Sequence, residues 1–179
     1  FSVQTGEMVG EIRKHTDWIY GIEFSPDGVL LATSDRSGGL FVWEADTARE
    51  YLNLRGHNGA VCDVSWRLDS NILASAGEDT TVKLWEMNDG NAIKSWGAHG
   101  GGVFCVRYTH DGRIVTAGRD NTVKSWNGDG AALKTFPGFP EAGLRCAFTH
   151  DGKRVVGGDW LGNVKVFDSE QAVEVFATP

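Results

Sequence analysis

The sequence predicts an all-β chain: four four-stranded antiparallel sheets, one extra N-terminal strand ahead of them, and essentially no helix. Three observations predict it. Trp43, Trp85, Trp126 and Phe167 recur every 41 or 42 residues. His15, His57 and His99 recur every 42 residues, and Phe139 stands where a fourth His would fall. Short apolar runs alternate with Gly-, Asp- and Pro-containing turns, and no stretch of roughly 11 residues carries the 3.6-residue period of an amphipathic helix.

Each unit reads in the same order. Strand a has the form V-x-x-V-x-F: Ile19, Ile22 and Phe24; Val61, Val64 and Trp66; Val103, Val106 and Tyr108; and a looser Leu144, Cys146 and Phe148. Turns such as Ser25-Pro26-Asp27-Gly28 follow, with residues that suit tight reversals. Strand b is built on Leu30–Thr33, Ile72–Ser75, Ile114–Thr116 and Val155–Val156. After a polar turn, strand c ends on the recurring aromatic, as in Val82-Lys83-Leu84-Trp85. A second polar turn leads to strand d, Ile93 to Trp96 in the second unit and Ala172–Phe176 in the fourth. By the same spacing Phe1 takes the strand-c aromatic place of a preceding unit, and Met8–Ile12 its strand d.

One twisted four-stranded sheet cannot hide two apolar faces, and here strand c carries Val82 and Leu84 on one side and Trp85 on the other. Stacking such sheets around an axis buries both faces, which is the architecture of β-propeller blades. The period falls in the range of one blade. The units are 15–56, 57–98, 99–138 and 139–179, with 1–14 as strand d of a preceding blade. One orphan strand plus four complete sets predicts an excerpt of a ring of about seven or eight blades. Such an excerpt needs further blades from the same parent chain, or self-association, to cover its end faces.

Composition narrows the function. The 179 residues carry 17 Lys and Arg against 24 Asp and Glu, a net charge of −7. The charges are mixed and form no basic stripe, which argues against nucleic acid or an anionic membrane as partner. No apolar run approaches the roughly 20 residues of a membrane helix. Cys62, Cys105 and Cys146 stand apart, in no metal or haem motif, and read as small buried side chains. No cofactor or metal is expected. Asn127-Gly128-Asp129-Gly130 lacks the ordered acidic ligands of a calcium loop and reads as a c–d turn. His110-Asp111 and His150-Asp151 lie in equivalent a–b turns, where turn chemistry accounts for them better than a metal pair does. The compartment stays open between cytoplasm and, for an exported parent chain, periplasm.

The second unit carries Gly56-His57 and then Leu73-Ala74-Ser75-Ala76-Gly77-Glu78-Asp79-Thr80-Thr81-Val82-Lys83-Leu84-Trp85-Glu86. This wording, repeated in register over the whole chain, resembles the WD-repeat family, in a bacterial-type phrasing. The resemblance implies a hydrogen-bonded tetrad in each blade: His57, Ser75, Asp79 and Trp85 in the second and His99, Thr116, Asp120 and Trp126 in the third. The first has His15, Thr33 and Trp43 with Ser37 in place of the Asp. The fourth has Phe139, Gly157, Leu161 and Phe167 in the four places and is expected to hold its turns by packing or to accept a looser b–c turn. These sets look like Ser-His-Asp triads, but they recur from blade to blade and end on an indole donor that a nucleophile does not require. A structural role is the expectation.

The resemblance further implies a protein-binding scaffold, not an enzyme, that meets protein or peptide partners on the rim where d–a and b–c loops emerge. The rim positions are Trp18, Tyr20 and Arg36; Ala60, Cys62 and Glu78; Gly102, Phe104 and Arg119; Ala142, Leu144 and Trp160. Trp, Tyr and Arg are the residue types enriched at interface hot spots, and the candidate partner-binding set on this rim is Trp18, Tyr20, Arg36, Glu78, Phe104, Arg119, Leu144 and Trp160. Filling of gaps between blades is the competing explanation for these aromatics. Two other functions compete: an accessory module of a multidomain bacterial enzyme carrying a cytochrome, kinase or protease domain, and a propeller enzyme with polar groups converging on the central channel.

Overall fold

The computed structural model describes residues 2–177. Within them lie sixteen strands and no helix. β1 (Ile19–Phe24), β2 (Leu30–Asp35), β3 (Leu40–Glu44) and β4 (Glu50–Asn53) form the first sheet. β5 (Val61–Trp66), β6 (Ile72–Gly77), β7 (Thr81–Glu86) and β8 (Ala92–Gly97) form the second. β9 (Val103–Tyr108), β10 (Ile114–Gly118), β11 (Val123–Trp126) and β12 (Ala132–Phe136) form the third. β13 (Gly143–Phe148), β14 (Arg154–Asp159), β15 (Val164–Asp168) and β16 (Glu174–Ala177) form the fourth. Each sheet is an antiparallel meander in chain order, as short turns between neighbouring strands dictate.

The sheets stack face to face in sequence. The first strands β1, β5, β9 and β13 lie against one another. Three cores fill the junctions. Leu40, Val42 and Leu54 of the first sheet meet Val61, Val64, Trp66 and Trp85 of the second. Ala74, Val82 and Leu84 meet Val103, Val106 and Trp126. Cys105, Val115 and Val123 meet Phe139, Cys146, Val155 and Phe167. A sheet sandwiched this way buries both faces, so β5 and β10 are buried along their whole length. Outer strand β8 is mostly exposed. All three cysteines are buried free thiols.

Polar links cross the same junctions. Trp66 Nε1 donates to the Glu23 carbonyl at 3.0 Å. Arg107 Nη1 pairs with Asp63 Oδ2 at 2.6 Å, and Val106 N donates to the same oxygen at 3.1 Å. A buried charge is costly without a partner, and the ion pair supplies one. At the two ends of the stack nothing comparable covers Ile22 and Phe24 of the first sheet or Val175 and Phe176 of the fourth, which are exposed.

Two expectations are corrected. Met8–Ile12 is not a strand. A strand exists by pairing with a neighbour, and no adjacent strand accepts this segment among the described residues; it runs exposed, with Gly10 close to Ala48. Phe1, assigned to the strand ahead of it, lies outside the described residues. In the fourth sheet strand d begins at Glu174, because Ala172 takes a left-handed turn conformation with φ 56°.

Candidate functional site

Two constellations lie along the b–c turns: the buried imidazole networks and a rim cavity. In the second blade His57 Nε2 lies 2.7 Å from Ser75 Oγ, which accepts the indole N–H of Trp85 at 2.8 Å. His57 Nδ1 lies 3.0 Å from Asp79 Oδ2. The third blade repeats this with His99, Thr116, Trp126 and Asp120, at 2.7, 2.9 and 2.6 Å. The proton positions follow from the donors. An indole nitrogen only donates, so the hydroxyl accepts from it and gives its own proton to Nε2. The imidazole is then neutral, protonated at Nδ1, and donates to the carboxylate. Burial pushes the His57 and His99 pKa values down, and their carboxylate partners oppose this only in part. For Asp79 and Asp120 burial works upward, but donors such as Asn58 N, Thr81 Oγ1 and Lys124 Nζ outweigh it and hold both below the usual carboxylate range.

A Ser-His-Asp nucleophile must reach its substrate. Here Ser75 and Thr116 are fully buried and Thr33 nearly so. These hydroxyls tie strand b to the d–a loop and strand c and offer no attacking oxygen to solvent.

The first blade differs from the sequence reading. His15 Nδ1 meets Asp35 Oδ2 at 2.6 Å, not Ser37. Nε2 meets Thr33 Oγ1 at 2.6 Å, and Trp43 donates to that hydroxyl at 2.8 Å. Ser37 instead donates its N–H and hydroxyl to Asp35 Oδ1, at 2.9 and 2.8 Å, beside Gly39 N at 2.8 Å. The carboxylate thus comes from two residues after the hydroxyl residue, where the second and third blades have Gly77 and Gly118. A Cβ at Gly77 would lie 2.4 Å from His57 Nδ1, and one at Gly118 would lie 2.4 Å from His99 Cγ. An Asp at the first place of the turn and an Asp at the third are therefore alternatives. The complementary occurrence of Asp35 and Asp159 against Gly77 and Gly118 was the available signal.

The fourth blade also departs from expectation. Leu161, placed in the tetrad by counting, is exposed. Packing is not the only support of this turn: Asp159 Oδ1 accepts Leu161 N and Asn163 N at 3.0 and 2.9 Å, and Oδ2 accepts Asn163 Nδ2 at 2.8 Å. Where the imidazole network would sit, Phe139, Phe167 and Phe136 cluster with ring centroids 5.4 to 6.0 Å apart. Gly157 makes room for them, since a Cβ there would lie 2.7 Å from Phe139 Cζ.

The rim is built by a second repeated device. Each first strand slips register at its second residue: Tyr20, Cys62, Phe104 and Leu144 are left out of the pairing with strand b. Such bulges re-aim a side chain out of the pleat. The residue two before each bulge accepts a backbone N–H from the b–c turn: Arg36 to Trp18, Glu78 to Ala60, Arg119 to Gly102 and Trp160 to Ala142, at 2.9 to 3.1 Å. The turn residue is thereby fixed beside the bulge in every blade.

The four bulge residues and three of the turn residues meet in one cavity of about 250 Å³, lined by Tyr20, Cys62, Glu78, Phe104, Arg119, Leu144, Arg145 and Trp160. All four blades contribute. Sequence counting missed Arg145, which follows the last bulge; its Nη1 donates to the carbonyls of Phe104 and Leu144 at 3.0 and 3.1 Å. Trp18 and Arg36 stand outside the cavity lining, with the guanidinium 5.3 Å from the indole centroid. Arg119 lies over Phe104 at the same distance. Burial, with Glu78 and Asp63 nearby, raises the Cys62 thiol to about 12, so it forms a neutral wall.

Among the described residues no cluster of three or more His, Cys, Asp or Glu side chains could hold a metal ion. His110 and His150 do meet across two a–b turns, edge to face with centroids 4.4 Å apart, but no third ligand joins them.

Comparison with known proteins agrees with this architecture. The family model described as WD domain, G-beta repeat matches residues 6–44, 49–86 and 90–127, together more than half of the chain. Elongator complex protein 2 of Danio rerio is 36% identical over 61 residues, 32% of this chain and 7% of that protein. An uncharacterized WD repeat-containing protein of Nostoc sp. is 50% identical over 40 residues, 22% of this chain and 3% of that protein. WD repeat-containing protein 1 of Xenopus tropicalis is 34% identical over 58 residues, 31% of this chain and 10% of that protein. The matched segments span a tenth or less of these relatives. With its repeats matched in register and folded as stacked four-stranded sheets, the chain belongs to the WD domain, G-beta repeat family.

Proposed function

We propose that this chain is a non-catalytic binding platform whose rim cavity holds a peptide segment of a partner protein. WD repeats generally mediate contacts between proteins, and that general role is the starting point. The observation that carries the finer reading is the convergence of equivalent positions from four blades on one cavity with unlike side chains. A position serving only the fold would be filled alike in each blade, as the buried aromatic of strand c nearly is. The rim positions instead carry Tyr, Cys, Phe and Leu at the bulges and Arg, Glu, Arg and Trp in the turns. Trp160 and Trp18 are 71% and 69% exposed, which does not suit side chains that fill gaps between blades. Exposed Trp, Tyr and Arg around a concavity are the usual material of an interface hot spot.

The test is selection of a displayed random-peptide library on the immobilised chain, repeated with Trp160→Ala and Tyr20→Ala. Peptides retained by the unaltered chain should be lost from both variants. Their thermal midpoints should barely move, because surface truncations cost within about 0.5 kcal/mol. Retained peptides that bind both variants equally well would overturn the platform reading.

A further inference from the structure

We infer that the rim cavity selects peptides presenting an acidic side chain next to an apolar one, a specificity that rests on the platform reading above. The chain as a whole is acidic, with a net charge of −7. Its rim cavity is not: Arg119 and Arg145 face a single carboxylate, Glu78. Several other arginines are already paired with carboxylates. Arg49 pairs with Glu44, Arg67 with Asp69, Arg107 with Asp63 and Arg113 with Asp111, at 2.6 to 2.9 Å. Among the described residues neither Arg119 nor Arg145 has a carboxylate within ion-pair distance.

Both guanidinium groups are nonetheless held in place. Arg119 lies over the Phe104 ring, which leaves its edge of N–H donors free. Arg145 uses only Nη1 on the Phe104 and Leu144 carbonyls, so Nε and Nη2 remain to donate. Two cations held in the lining of one cavity offer donors suited to a carboxylate, whose two oxygens accept paired N–H groups. The prior fixing of the side chains lowers the entropy lost on binding. The rest of the cavity lining is of another kind. Tyr20, Leu144 and the neutral Cys62 thiol give it apolar walls, and Glu78 repels a second acid there. The ligand is therefore an acidic side chain with an apolar neighbour, not a polyanion. Phosphate-rich polymers fail this pattern because they would set charge against Glu78 as well.

The same peptide selection tests this, with Arg119→Gln as the main variant because Arg119 makes no side-chain hydrogen bond among the described residues, and Arg145→Gln as the second. The unaltered chain should enrich Asp or Glu at one peptide position, with an aliphatic or aromatic residue beside it. A labelled peptide of the enriched sequence should bind about tenfold more weakly to Arg119→Gln, the effect of losing a charge-assisted pair. It should bind more tightly to Glu78→Gln and more weakly as salt is raised. Enriched peptides that are neutral or basic yet still depend on Trp160 would overturn the inference and leave the platform standing. Peptides indifferent to Trp160 and Tyr20, or no enrichment, would overturn both. Equal binding of the acidic peptide to Arg119→Gln and the unaltered chain would also overturn the inference.

Discussion

Removing the Asp35 carboxylate should cost the fold more than any change at Ser37, although counting along the sequence puts Ser37 in the tetrad. Asp35 is 1% exposed and accepts from His15 Nδ1, Ser37 N, Ser37 Oγ and Gly39 N. In Asp35→Ala the His15 N–H, on a side chain only 6% exposed, loses its partner, as does the Gly39 amide. Each such group left without an acceptor costs about 1–3 kcal/mol. Relief of the desolvation of the carboxylate offsets part of this, which places the net loss at about 2–4 kcal/mol. Ser37→Ala gives up one exposed hydroxyl donor, and about 0.5–1 kcal/mol is expected. Asp35→Asn separates the two functions, since its amide oxygen still accepts the turn N–H groups but its NH₂ opposes His15 Nδ1. Urea titration gives the free energies. Hydrogen exchange at Gly39 checks the location: protection should fall in Asp35→Ala and persist in Asp35→Asn. A Ser37→Ala loss equal to that of Asp35→Ala, or an unchanged Gly39 amide in Asp35→Ala, would refute the assignment.

Acid should weaken the fold in two stages. His57 and His99 titrate below their ordinary 6.5 when folded, so below about 6.5 the unfolded chain takes up protons that the folded one does not, and stability falls. Asp35, Asp79 and Asp120 are also held down, below 3.8. Their contribution is present above about 3.8 and disappears as pH drops toward the folded values. Urea midpoints that stay flat between about pH 7 and 5 would contradict the histidine part. Asp63→Ala should cost about 2–3 kcal/mol by leaving Arg107 and the Val106 amide unpaired across a blade junction, with Asp63→Asn milder; equal urea midpoints for the two would count against the ion pair. Gly157→Ala should cost about 1–3 kcal/mol, because its Cβ has no room beside Phe139 and Val123. A thermal midpoint equal to that of the unaltered chain would show that the aromatic cluster yields.

The strand pattern was readable because it is local. A first strand such as Val61–Trp66 announces itself by its own apolar spacing, its Gly- and Asp-rich flanks, and its return one period later. The same periodicity located Tyr20, Cys62, Phe104 and Leu144 at the rim, since equivalent positions in equivalent sheets face the same way. It misplaced the tetrad carboxylate in the first blade, because Asp35 and Asp79 reach one imidazole from different turn positions. Arg145 was missed for a similar reason: its reach to the Phe104 carbonyl crosses to the neighbouring blade.

Repetition in the chain by itself determined the all-β class, the four four-stranded units and the buried aromatic of each strand c. Only the tertiary structure decided which carboxylate meets His15, that Met8–Ile12 stays unpaired among the described residues, and that Arg119 and Arg145 line one cavity without acidic partners. Backbone hydrogen bonding and apolar alternation act between residues a few positions apart, so they leave a mark in the order of the letters. Contacts between side chains some forty residues apart depend on how one sheet lies on the next, and that is set by the packing of whole faces.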